Sequence, residues 1–165
     1  MIGILGGGVW GSALAKLLSN QKVIIYARNK KIIQSINEHH FNPNLKYAVF
    51  NENITATDSL EEITKLKYIF IALPSQQIRQ VIDSSFFKEC NSNIIIASKG
   101  MEIESLDFLS NTVKEVIKTK SISVLSGPCF SDEVSQNLPT AVSFASNNFE
   151  VFDEVSSFIK NKNFR

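Results

Sequence analysis

Three short stretches hold the side chains and glycines best suited to binding or catalysis. The first is Gly6-x-Gly8-x-x-Gly11, set directly after the apolar run Ile2–Leu5 and ahead of an alanine- and leucine-rich stretch reaching Leu18. Each glycine answers a separate demand of a strand-turn-helix that holds a dinucleotide. Gly6 lets the chain turn sharply out of the strand, Gly8 lets the backbone approach a pyrophosphate, and Gly11 lets the helix pack on the strand. The helix start then offers free N–H groups and the positive end of its dipole to the anion. Trp10, the only tryptophan, lies inside this loop. It packs the first helix against a neighbour, and its backbone N–H can also face the pyrophosphate.

The second stretch is Arg28-Asn29-Lys30-Lys31, about twenty residues beyond the glycines. An acidic residue here would grip a ribose 2′-hydroxyl and repel a 2′-phosphate. A basic cluster instead suits a phosphate, so the expectation is a site that takes NAD or NADP. The same residues could also be no more than a solvated helix start. The third stretch contains two corners, Ser98-Lys99-Gly100-Met101-Glu102 and Ser126-Gly127-Pro128-Cys129-Phe130-Ser131. Lys99 follows a buried Ile-Ile-Ile strand, where a cation points to the crevice and can bind a phosphorylated or carbonyl substrate or move a proton. The second corner has backbone N–H groups able to receive an anion or a cofactor amide. Cys129 has no histidine near it in sequence, and His39 and His40 are expected in an exposed loop. A cysteine nucleophile is therefore disfavoured.

These residues must be held by elements that alternate β-branched runs with helical patterns, the mark of a parallel sheet covered on both faces. Strands are expected at 2–5, 22–27, 54–57, 67–73, 93–98, 121–125 and 140–145. Helices are expected at 9–18, 30–38, 76–87, 106–118 and 149–159. A long loop is expected at 42–53. Asp58-Ser-Leu-Glu61 reads as an N-cap with its capping-box acid for a further short helix. The fold class is α/β, a Rossmann-type, doubly wound and mainly parallel sheet, forming one domain over 1–165. Ligands in such sheets sit in the crevice at the carboxyl ends of the strands. That places 6–11, 27–29, 73–76, 98–100 and 126–131 along its rim.

Bulk properties narrow the function. Seventeen basic and sixteen acidic residues leave a formal charge of +1, with no footprint for nucleic acid or an anionic membrane. No apolar run approaches the ~18 residues that span a bilayer, so no membrane insertion is expected. The two cysteines, Cys90 and Cys129, are far apart and make neither a disulfide framework nor a metal cluster. They fit a reducing, cytoplasmic setting. The glycine motif begins so early that a cleavable leader is not expected.

The motifs together resemble those of NAD(P)-dependent glycerol-3-phosphate dehydrogenases. The matching residues are Gly6 to Ala15, Ile54 to Asp58, Leu73-Pro74-Ser75, Ser98 to Glu102, Leu125 to Phe130 and Leu138 to Val142, in order from end to end. The resemblance implies reduction of dihydroxyacetone phosphate to sn-glycerol 3-phosphate, feeding phospholipid synthesis, by an enzyme that can be a homodimer. It implies cofactor contacts by Gly6, Gly8, Val9, Trp10, Gly11, Arg28, Lys99 and Ser131. It implies that Lys99, Gly127 and Cys129 help form the substrate site. Val9 stands where the family commonly has Ser, Cys129 where it has Ser or Thr, and Ser131 where it has Ala. Members also carry a second, all-helical domain with the general-acid lysine, so no catalytic residue and no metal ligand is expected within these 165 residues. Two other readings stay open: a non-catalytic dinucleotide-binding module left by truncation, and another two-domain dehydrogenase acting on a hydroxy acid or sugar acid.

Overall fold

The computed structural model describes residues 1–46 and 48–165. In chain order the elements are β1 (Ile2–Leu5), α1 (Val9–Leu17), β2 (Val23–Tyr26), α2 (Lys30–His39), β3 (Ile54–Thr57), α3 (Leu60–Thr64) and β4 (Tyr68–Ile71). A 3-10 turn at Ser75–Gln77 follows, then α4 (Ile78–Ile82), α5 (Ser85–Lys88), β5 (Asn93–Ile96), β6 (Met101–Glu102), β7 (Asp107–Phe108) and α6 (Leu109–Val116). The chain continues with β8 (Ser121–Ser126), α7 (Ser131–Ser135), β9 (Ser143–Ser146) and α8 (Phe149–Ile159).

The main sheet runs β3-β2-β1-β4-β5-β8-β9. Its pairings are parallel except the last, where β9 returns antiparallel to β8. From β1 the chain winds outward to β3 and then restarts beside β1 as β4, so the direction of winding reverses between β1 and β4. Helices on both faces bury the central strands on both sides, which is why β4 and β5 carry near-continuous apolar runs. Successive side chains of β4 part to opposite faces, as the two-residue period of a strand requires. Tyr68 and Phe70 join the core under α1, α7 and α8, while Ile69 and Ile71 join the one under α3 to α6.

Several sequence expectations shift by physical detail. The single helix expected over 76–87 is three pieces: a 3-10 turn ends at Gln77, Asp83 closes α4, and Ser84 adopts extended backbone before α5 without a side-chain cap bond. The helix expected from 106 starts only at Leu109. The residues before it form the β6–β7 ribbon, turned by Leu106 in the left-handed region with φ 55°. The cap before α3 is Ser59, not Asp58: its hydroxyl accepts from the Glu62 N–H at 3.3 Å, so the capping pattern sits one residue later. His39 ends α2 and His40 is its left-handed C-cap, so both are exposed at a helix terminus and not in a loop. The strand expected over 140–145 is divided. Ser143–Ser146 joins β8, whereas Thr140 and Val142 donate to the carbonyls of Asn163 and Arg165, both at 2.7 Å. The 42–53 loop carries a bridge between Phe41 and Val49, and Tyr47 within it lies outside the described residues.

Candidate functional site

The glycine loop is shaped by contacts that leave no room for side chains on one side and ample room on the other. Gly6 has φ +129°, and a Cβ there would lie 2.6 Å from the Ala72 carbonyl oxygen. A Cβ on Gly11 would fall 1.9 Å from the Gly6 carbonyl oxygen, so α1 can approach β1 this closely only with glycine. Gly8 differs from both: a Cβ there would meet nothing within 4 Å. Nothing inside the protein asks for glycine at that position, and its surface is open to whatever approaches the loop. Gly8 is also the N-cap of α1, and no side chain caps that terminus. The first N–H groups of a nine-residue helix therefore face the same opening.

Asn42 locks the loop from beneath. It is fully buried, and its side-chain amide donates to the Gly7 carbonyl at 3.0 Å and the Ser12 hydroxyl at 2.7 Å. Its oxygen accepts from the Asn44 N–H at 3.0 Å. Sequence reasoning missed this residue, because one asparagine in a loop holding several carries no mark of burial.

A cleft of about 260 Å³ opens over the loop, lined by Gly6 to Gly8, Tyr26 to Arg28, Ala72 to Pro74 and Gln77. Arg28 rims it from the end of β2, and its guanidinium donates to the Gln77 side-chain oxygen at 3.1 Å. Among the described residues Arg28, Lys30 and Lys31 form no ion pair, and the first turn of α2 contains no acid. Val9 is 41% exposed beside this opening.

Lys99 and Gly127 line a separate cavity of about 520 Å³ with Ser98, Met101, Phe108 and Ser126. The Lys99 ammonium donates to the Cys129 carbonyl at 2.8 Å, with the Trp10 and Phe130 ring centres 5.9 and 5.7 Å away. Trp10 links the two regions: its indole N–H donates to the Ala97 carbonyl at 2.7 Å, tying α1 to the end of β5. The Cys129 side chain is 3% exposed within the core, and its thiol faces the Gly127 carbonyl at 3.5 Å. Burial pushes that thiol above its usual range, against the opposing pull of Lys99. Its backbone N–H is also taken by the Gly127 carbonyl, at 2.9 Å, and so is unavailable to an anion. Cys129 thus presents its carbonyl, not its sulfur, to Lys99. Ser131 opens α7, half-buried, on the element that packs along α1.

Glu102 of the same Lys-Gly-Met-Glu stretch points away from the cavity. It is buried and accepts two bonds from Arg79, both at 2.7 Å, and one from Ser105 at 2.7 Å. The Arg79 guanidinium holds its carboxyl down to about 2. Gln76 reinforces the link by donating to the Met101 carbonyl at 2.8 Å and accepting from the Ile103 N–H at 2.9 Å. The corners after β4 and β5 are fastened to each other by these bonds.

A family model described as NAD-dependent glycerol-3-phosphate dehydrogenase N-terminus matches residues 1–152. The chain belongs to that family. Glycerol-3-phosphate dehydrogenase (NAD(P)+) from Neorickettsia sennetsu is 36% identical over 98% of this chain and 49% of its own length. The enzyme of that name from Bacillus licheniformis is 35% identical over 99% of the chain and 50% of its own. Among solved structures, glycerol-3-phosphate dehydrogenase from Coxiella burnetii superposes with a TM-score of 0.90 at 30% identity, over 99% of this chain and 52% of that one. The chain thus spans about half the length of the dehydrogenases it matches. The fold is the Rossmann-type sheet of this family. Among the described residues no helix is long and apolar enough to cross a membrane, and no group of three or more His, Cys, Asp or Glu is placed to hold a metal.

Proposed function

We propose that this chain is the cofactor-binding portion of a glycerol-3-phosphate dehydrogenase, binding NAD or NADP for the reduction of dihydroxyacetone phosphate to sn-glycerol 3-phosphate in glycerophospholipid synthesis. One observation carries the reading: the uncapped start of α1 meets open space at Gly8, where the sheet reverses its winding between β1 and β4. Ligands bind such sheets at that reversal, with a pyrophosphate on the helix N-terminus. Gly6 and Gly11 shape the loop, Gly8, Val9 and Trp10 offer backbone N–H groups, and Arg28 faces the adenosine ribose. The bound nicotinamide supplies the hydride.

Lys99 and Ser131 complete the cofactor contacts on the side of α7. Lys99 also serves the substrate, its ammonium drawn from the Cys129 carbonyl to an anionic or carbonyl oxygen, beside Gly127. The general acid belongs to the remaining length that the relatives carry, and the working enzyme is a cytoplasmic homodimer. Titrating the chain with NADH while following Trp10 fluorescence tests this. Saturable quenching is expected, with negligible NADH oxidation when dihydroxyacetone phosphate is added. Absence of binding overturns the cofactor reading, and family-like turnover overturns the assignment of the acid.

A further inference from the structure

Arg28 and Gln77 approach each other from opposite banks of the glycine loop. Arg28 follows β2 and Gln77 closes the turn after β4, so their hydrogen bond spans the end of β1, which lies between those strands. Both side chains line the cleft over Gly6 to Gly8. With no ion pair on Arg28 among the described residues, the side-chain acceptor that holds its guanidinium is a neutral amide oxygen at 3.1 Å.

Resting on the dinucleotide reading above, we infer that Gln77 is a specificity-determining residue whose amide oxygen competes with the 2′-phosphate of NADP for Arg28, biasing the cleft toward NAD. A cofactor ending in a 2′-hydroxyl needs no cation and leaves the Arg28–Gln77 bond in place. A 2′-phosphate takes the guanidinium best through two parallel N–H donors, and one terminal nitrogen is already turned to Gln77. A phosphate docked on that fork displaces the amide, whereas binding NAD does not. Lys30 and Lys31 are exposed in the first turn of α2 and make no bond to Gln77. They attract a phosphate equally whether the bond is made or broken, which keeps NADP a ligand without removing the bias.

The test is a titration of the full chain and its Gln77 variants with NADH and NADPH, read by the fluorescence of Trp10. Gln77→Leu deletes the competing acceptor and should raise the NADPH-to-NADH affinity ratio by about 3- to 10-fold, the scale of one solvent-accessible hydrogen bond to a charged group. Gln77→Glu pairs Arg28 with a carboxylate and repels the phosphate, and should lower the ratio by about tenfold or more. Gln77→Asn, too short to hold the bond, should follow Gln77→Leu and serves if the leucine variant melts early. A ratio that stays constant or falls in Gln77→Leu or Gln77→Asn overturns the inference alone. A parent chain that binds neither nucleotide overturns it together with the dinucleotide reading.

Discussion

The two ends of the crevice are built by different means. At the β1–β2 end the backbone itself is the device: Gly6 and Gly11 sit where any side chain would collide with a carbonyl oxygen, and the loop's opening follows from that. At the β5–β8 end Gly100 also takes a positive φ, of 97°, but side chains hold the arrangement. Lys99 rests on the Cys129 carbonyl, Gln76 clasps the β6 backbone, and Arg79 anchors Glu102. The first construction is steric and local, so a single atom breaks it. The second is distributed over bonds between elements far apart in sequence, so its parts fail one at a time and respond to pH.

The largest effect on the steric end is expected from Gly11→Ala. Its added Cβ would stand 1.9 Å from the Gly6 carbonyl, and backbone cannot step aside as a side chain can. A loss of about 3 kcal/mol or more in urea unfolding is expected, at the upper end of overpacking costs. A near-neutral result would show that α1 is free to slide on β1. Asn42→Ala should come next, costing about 2–3 kcal/mol, because it strips a buried amide from the Gly7 carbonyl and the Ser12 hydroxyl. NADH affinity should fall with stability, since the glycine loop loses its support. Unchanged affinity in a destabilised protein would separate loop shape from core packing.

Glu102→Gln probes the other end, and pH is its signature. Glu102 is held at about 2 in the fold against an ordinary value of 4.5. Its contribution is therefore complete above 4.5 and is lost as the pH falls through 2. The variant should melt earlier than the parent at neutral pH and converge with it near pH 2, giving a flatter acid limb. Parallel profiles would mean that Glu102 acts by packing and not by charge. The smallest effect is expected from Trp10→Phe, which removes the indole N–H from the Ala97 carbonyl, for about 1 kcal/mol in the free energy of urea unfolding. Because that bond joins the two ends, a much larger loss would show them to be one cooperative unit.

Legibility in the sequence follows the same division. The glycine spacing, the burial of β4 and β5 and the alternation of strand and helix all express demands met within a few residues, and they are readable there. The broken 76–87 segment shows the limit. Its apolar spacing suits one helix, but the chain leaves helical backbone at Asp83 and is extended at Ser84, so α4 and α5 are separate. Leu106 shows another limit, since an apolar residue in helical register instead turns the β6–β7 ribbon at φ 55°. The bonds from Arg79 and Gln76 to the β6 segment give that ribbon its place, and no local pattern announces them.

The fold class, the glycine loop and the cation beyond it were legible along the chain, because backbone sterics and two-residue periodicity are local properties. The tertiary structure decided which side chains meet. Asn42 lies beneath Gly7, Gln77 faces Arg28, the Cys129 thiol turns into the core, and Glu102 serves Arg79 and not the crevice. Those outcomes depend on strands brought together by the reversal between β1 and β4, and contacts so distant along the chain leave no spacing to read.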